Sequence, residues 1–232
     1  MIIGEIGARK GSKGVSNKNF RNMCGKPLID WSLDQLLDSA RIDAVVVSTD
    51  DPAIYEHAIA KGALDIGLRP AELATDDAPK WGVWEHALDA AETITGPATG
   101  FIDLDCTSPL RLPEDIEGAL DLFEQGEADM VMGCAEAETN PYFNMLELNE
   151  QGSLGVVKPL PGGVWARQNA PKVYIHTGMY VLKPSYIRNA KTLFDGHVIP
   201  FEMPEERAMD IDRPLDWKMV EFLMKDRLAN QS

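Results

Sequence analysis

Cysteine is scarce in this chain: three residues in 232, Cys24, Cys106 and Cys134, odd in number and far apart. That excludes a disulfide framework and a zinc knuckle, and the three read as free thiols. No apolar run is long enough to span a bilayer, and the opening MIIGEIGARK is too short for a signal-peptide core. Both absences point to a cytoplasmic protein without a membrane partner. Positive charge is in short supply as well: 22 Lys and Arg face 37 Asp and Glu, for a formal net charge of -15. Such a balance excludes nucleic acid as the main partner, although a local basic patch can still hold a small anion. Internal repeats and low-complexity linkers are missing too, so the length suits one large domain, or one domain with an appended subdomain.

What is present is an alternation. Short apolar runs at 1–6, 44–51, 64–68, 100–106 and 128–134 are rich in branched residues and end in small or polar ones, the mark of buried strands. Amphipathic stretches lie between them. PLIDWSLDQLLDSA places Pro27 at a first helical position and repeats Leu28, Trp31, Leu36 and Leu37 at helical spacing, while DPAIYEHAIAKG opens on an Asp cap and stops at a glycine. WGVWEHALDAAETI and PEDIEGALDLFEQG follow the same grammar. The alternation predicts an α/β fold, a doubly wound and mostly parallel sheet with helices on both faces and ligands bound beyond the carboxyl ends of the strands. After about residue 138 the pattern changes. NPYFNMLELNEQGSLGVV holds two short alternating runs around a turn, which predicts a hairpin. A loop rich in Pro and Gly, another strand, a short strand at 197–201 and a helix from Pro214 to Leu228 follow.

The stretch ARKGSKGVSNKN, residues 8 to 19, follows the first apolar run and concentrates cations in an acidic chain. Neither the P-loop glycine spacing nor the dinucleotide fingerprint fits it. What remains is a strand followed by a loop carrying Arg9, Ser12, Lys13 and Lys18, with Gly11 and Gly14 permitting close backbone approach to an anion. A solvated basic loop is the plainer alternative. Near the far end, Asp210 and Asp212 stand two apart in MDIDRP, so an extended backbone turns both carboxylates to one side, where hard oxygen ligands suit Mg²⁺. Asp212 also sits where it could cap the last helix. Asp103 and Asp105 share a face of their strand by the same alternation, and Asp103 reads as a buried structural carboxylate bonding backbone amides.

ARKGSKGVSNKN followed by GKPLIDW resembles the signature of the acylneuraminate cytidylyltransferases, which activate sialic acids and related ulosonic acids. VVVSTDD, LRPAELATDDA (68–78), TSPLR (107–111), RQNAPKVY (167–174) and MDIDRPLDW (209–217) occur in the order that family shows, over nearly the whole chain. The resemblance implies transfer of CMP from CTP to the anomeric hydroxyl of a 3-deoxy-2-ulosonic acid, with release of pyrophosphate and with Mg²⁺ as cofactor. It assigns catalysis to Arg9 and Lys13, nucleotide binding to Ala8, Arg9, Gly11, Ser12, Lys13, Asn19 and Arg69, and the metal to Asp105, Asp210 and Asp212. Arg69 could instead pair with Glu72 or cap a helix.

Asp105 and Cys106 stand where sialic acid enzymes commonly carry Gln-Pro, a departure that resembles the Kdo-activating enzymes and the legionaminate-type branch. Asp105, Arg167, Gln168 and His176 are the candidate sugar contacts, and an interface role is an alternative for the last three. The division expected is a nucleotide-binding α/β core over 1–138, a β-hairpin dimerisation and sugar-contact subdomain over 139–178, and a return to the core over 179–232 with the DxD and a C-terminal helix. The family likeness and the apolar residues of the hairpin segment imply a homodimer. The other classes open at this point are another nucleotidyltransferase or a DxD glycosyltransferase on the same fold, and a non-catalytic nucleotide-binding protein.

Overall fold

The computed structural model describes residues 1–11 and 14–230, so Ser12 and Lys13 lie outside the described residues. The first half runs β1 (Ile2–Gly7), β2 (Asn22–Met23), β3 (Lys26–Pro27), α1 (Leu28–Asp38), β4 (Ala44–Ser48), α2 (Pro52–Lys61), α3 (Lys80–Thr95), β5 (Gly100–Leu104) and α4 (Pro113–Glu124). The second half runs β6 (Met130–Glu136), β7 (Leu146–Leu148), β8 (Leu154–Val156), β9 (Tyr174–Leu182), α5 (Pro184–Asn189), β10 (Val198–Glu202) and α6 (Pro214–Asn230). Six strands form the central sheet in the order β10-β6-β9-β5-β1-β4. Parallel pairs join β1 to β4 and β5, and β10 to β6; β9 runs antiparallel between β5 and β6. The mostly parallel α/β sheet expected from the alternation is therefore what the chain builds.

Helices cover both faces, and the strand alternation decides which side chains meet which helix. Ile2 and Ile6 of β1, with Ile102 and Leu104 of β5, pack on α1, α2 and α4, whereas Ile3 and Phe101 pack with Trp84, Ala87, Leu88 and Ala91 of α3. Trp84 is fully buried, worth about 1.5–3 kcal/mol relative to leaving a large apolar side chain in water. Local signals hold where the sequence placed them: the Asp51 carboxylate accepts the Ala53 N–H at 3.0 Å to open α2, and Gly62 at φ 112° ends it. Pro27 caps α1 from just outside rather than beginning it.

Residues 64–68 do not form a strand. Leu64 makes one isolated bridge to Val46, and the chain then turns, with the Gly67 N–H donated to Asp65 Oδ1 at 3.1 Å and Gly67 at φ 75°. The expected hairpin is present as the antiparallel pair β7 and β8, which stands apart from the main sheet.

Candidate active site

A cavity of about 430 Å³ opens at the carboxyl ends of β1 and β5, where the fold rule puts ligands. Glu5, Arg9, Asn19, Arg69, Asp105 and Asp212 all line it, so it gathers residues from both ends of the sequence. The loop after β1 is tied down by its own polar groups. Asn19, buried, donates from Nδ2 to the Arg9 carbonyl at 3.1 Å, and its Oδ1 lies 3.3 Å from the Cys106 thiol. Arg9 pairs with Asp76 across the pocket mouth. Lys18 donates to the Ile211 carbonyl, with Asp212 3.6 Å away. A Cβ on Gly14 would lie 1.8 Å from the Asp212 carbonyl oxygen, so only glycine lets the cationic loop press against the DxD segment.

The DxD segment is anchored by the buried Ile211, whose N–H donates to the Thr107 carbonyl at 3.0 Å. Asp210 accepts from Ser108 Oγ at 3.3 Å, and the Asp212 side chain is mostly exposed. The opening of α6 is served by Asp216, which accepts the backbone N–H groups of Asp212 and Arg213 at 3.1 and 2.7 Å. Asp216, not Asp212, is thus the carboxylate that accepts those amides.

The strand alternation puts Glu5 and Gly7 of β1, and Asp103 and then Asp105 at the end of β5, on the face covered by α3. There they meet Lys80, the first residue of α3, whose Nζ lies 2.6 Å from Asp103 Oδ2 and 2.6 Å from Asp105 Oδ1. Burial works against the charge of Asp105, but Lys80, Arg111 and His176 outweigh it and hold the carboxyl below the usual range. Burial likewise opposes the Lys80 charge, and Asp103 and Asp105 reverse it, holding the ammonium protonated well above the ordinary lysine range. Asp103 is completely buried, as the sequence suggested, yet it is Lys80 rather than a row of backbone amides that faces it. Gly178 of β9 makes the close approach possible: its carbonyl accepts the Asp105 N–H at 2.8 Å, and a Cβ there would sit 2.7 Å from the Asp105 Cβ.

Arg69 is buried and bonds Ser48, from Nε to Oγ at 2.9 Å and from a terminal nitrogen to the carbonyl at 2.6 Å. It therefore neither pairs with Glu72 nor caps a helix. Glu5 lies beside it. Burial and the neighbouring Asp103 push the Glu5 carboxyl well above the usual range, against the pull of Arg69 and Lys80. Both Glu5 oxygens and the Trp84 indole N–H are buried without a hydrogen-bond partner among the described residues. Burial, with Asp105 adding to it, pushes the Cys106 thiol up to about 12, which leaves it an inert wall of the pocket.

The structure divides the predicted sites. Ala8, Arg9, Asn19, Arg69, Asp105, Asp210 and Asp212 come together around the cavity or directly behind it. His176 is exposed on β9, its ring nitrogen 3.1 Å from the Tyr180 hydroxyl. Arg167 and Gln168 line a separate hollow of about 760 Å³ with Asn140 and Glu202. Among the described residues no three His, Cys, Asp or Glu side chains gather closely enough to hold an ion, so Asp105 does not form one cluster with Asp210 and Asp212. Glu5, Lys80 and Trp84 went unread as site residues. Glu5 shares its strand face with Gly7, a signal that alternation alone could have given, but Lys80 becomes visible only once α3 is laid against β5.

A doubly wound sheet whose carboxyl-end pocket is rimmed by cations and close-approach glycines has the features of a nucleotide-phosphate-binding α/β protein. The cytidylyltransferase family profile matches residues 3–155. A post-translational flagellin modification protein B of Campylobacter coli is 36% identical over 228 residues, covering 97% of this chain and 96% of that protein. The CMP-N,N'-diacetyllegionaminic acid synthase of Campylobacter jejuni is 36% identical over 225 residues, covering 96% and 94%. The solved structure of CMP:2-keto-3-deoxy-manno-octonic acid synthetase complexed with CTP shares the fold, with a TM-score of 0.69 at 18% identity over 97% of this chain and 99% of that one. The chain belongs to the cytidylyltransferase family, and its activity is nucleotidyl transfer.

Proposed function

We propose that the protein transfers CMP from CTP to the anomeric hydroxyl of a sialic-acid-like 3-deoxy-2-ulosonic acid, of the diacetyllegionaminate type, and releases pyrophosphate. One observation carries the reading: the loop after β1, Arg69 and the DxD segment, far apart in sequence, converge on one cavity beside the paired Lys80 and Asp105 at the end of β5. The anomeric oxygen attacks the α-phosphorus, the bond to the bridging oxygen breaks, and negative charge collects on the departing pyrophosphate. Catalysis of such a step is positioning plus cationic stabilisation of phosphate oxygens. Arg9, Lys13 and the amides around Gly11 and Ser12 hold the triphosphate in this reading. Asn19 and Arg69 fix the nucleoside end.

The donor chemistry of Asp210 and Asp212 fits Mg²⁺: two hard carboxylates, one at the cavity wall, the other accepting from Ser108. These two would hold the ion, with phosphate oxygens and water completing its shell, and it would supply charge for the phosphates. Asp105 is engaged by Lys80 and serves the acceptor side.

The hairpin segment supports the homodimer. Leu148 and Leu154, opposed across β7 and β8, are 69% and 67% exposed, and Trp165 is 88% exposed, too much apolar surface for a lone two-stranded ribbon in water. Arg167 and Gln168 follow that surface and approach the acceptor held by the partner in this assembly. No helix among the described residues is long and apolar enough to cross a membrane, and the thiols are free, in keeping with a cytoplasmic setting. Incubation with CTP, Mg²⁺ and a panel of ulosonic acids tests the reaction: pyrophosphate release that needs both CTP and an acceptor is expected. Release with a sugar 1-phosphate instead, or with none of the panel, overturns it.

A further inference from the structure

Lys80 is an unusual residue at its position. As the first residue of α3 it places a cation at a helix N-terminus, where the backbone dipole favours anions, and its charge is set among side chains rather than in bulk water. Something must outweigh that cost, and the geometry shows what. The ammonium sits 2.6 Å from one oxygen of Asp103 and 2.6 Å from one of Asp105, over the Tyr180 ring at 4.3 Å, with a third of its side chain open to the cavity. Two carboxylates on one strand face, converging on a single point, is the arrangement that elsewhere receives a divalent cation.

We propose that Lys80 is a resident cation of the acceptor side, taking the place of an ion between Asp103 and Asp105 and giving its remaining N–H to the carboxylate of the ulosonic acid. The inference rests on the reaction proposed above. One N–H is donated to Asp105 Oδ1, Asp103 is met as an ion pair without a hydrogen bond, and an ammonium has three N–H groups, so donor capacity remains for the acceptor. The sheet order decides which substrate receives the third. The cationic loop and Arg69 belong to the β1 and β4 side, whereas Asp105 and Tyr180 belong to β5 and its neighbour β9. The nucleotide's phosphates are served from the first side, and the acceptor is left to the second. Arg111, buried behind Asp105 and donating to its carbonyl at 3.3 Å, adds a second positive charge that keeps the paired carboxylates from repelling an incoming anion. Lys80 thereby commits Asp105 to holding a lysine, so the reaction site needs ligands for an ion only at Asp210 and Asp212.

The test uses the full chain with Lys80→Met and with Lys80→Gln, whose amide still hydrogen-bonds a carboxylate and keeps the variant folded if the methionine does not. For the acceptor that the wild-type chain uses, KM is expected to rise about tenfold or more, the loss of one charge-assisted hydrogen bond, while KM for CTP stays within about twofold. An unchanged acceptor KM, or an equal rise for CTP, overturns the contact. Manganese added alone and counted by electron paramagnetic resonance reads the other half without turnover: the variants are expected to bind one more Mn²⁺ per chain than the wild type, and an equal count overturns the replacement of an ion by Lys80. Wild-type protein inactive with every acceptor sinks the reaction instead, and the manganese count still judges Lys80.

Discussion

The cavity at the end of β1 and the hairpin region are built in opposite ways. Around the end of β1 several polar groups are held by other parts of the chain: Asn19 by Arg9, Arg69 by Ser48, Lys18 by Ile211. Across 139–173 the short strands β7 and β8 leave leucines open to water, and Arg167 and Gln168 sit in a separate hollow. A pocket whose groups are tied within one chain suits the nucleotide of the proposed reaction. An open, apolar surface suits the contact with a second copy in the proposed dimer. In the proposed dimer the difference makes the nucleotide pocket a product of folding, and the part of the acceptor site around Arg167 and Gln168 a product of assembly.

The largest effect is expected at the nucleotide end. Lys13→Ala removes a phosphate contact that strengthens as charge moves to the pyrophosphate, so turnover should fall by about a hundredfold or more with the fold kept; near-normal turnover, followed by pyrophosphate release, removes the assignment. Next come Asp210→Asn and Asp212→Asn. An amide oxygen is a poorer hard ligand than a carboxylate, so half-maximal activity should need about tenfold more Mg²⁺, and an unchanged Mg²⁺ titration leaves these residues structural.

At the hairpin the comparison predicts a change of mass. Leu148→Glu with Leu154→Glu should lower the light-scattering mass from twice the 25.6 kDa of one chain to that of one chain, and raise the acceptor KM with CTP binding within about twofold. A wild-type chain that is already monomeric contradicts the comparison. The smallest effect is on stability. Glu5 has a raised carboxyl in the folded state, so its contribution is fully present below the ordinary 4.5 of an unfolded glutamate and is lost as pH rises through the folded value. Glu5→Gln escapes that loss. The melting temperature of the variant should therefore gain on the wild type by a few degrees between about pH 5 and pH 9, and a constant difference across that range counts against a raised Glu5.

Much of the fold was legible because its signals are local. Short apolar runs marked β1, β4, β5 and β6 as buried strands, and an Asp cap with a terminal glycine bounded α2. Residues 64–68 misled because an apolar pair around Asp65 reads as a strand until the Gly67 turn is seen. The loop, Arg69 and the DxD were readable as ordered motifs. Lys80 was not, since its meaning comes from α3 beginning against the ends of β5 and β9, a juxtaposition that no spacing in APKWG encodes. Arg167 and Gln168 lie in a hollow apart from the cavity at the end of β1, a separation that their motif RQNAPKVY does not encode.

Complementation between two inactive chains tests the division of labour most directly. On the proposed reading, Lys13→Ala damages the nucleotide half and Arg167→Ala the acceptor half. If each acceptor half is completed by the partner, mixing equal amounts and allowing subunits to exchange should restore roughly a quarter of the wild-type sites, because half of the dimers are mixed and each mixed dimer carries one intact site. Pyrophosphate release at that level is the predicted result. Mixed dimers that form, as seen by mass, yet release no more pyrophosphate than either variant alone would contradict the account.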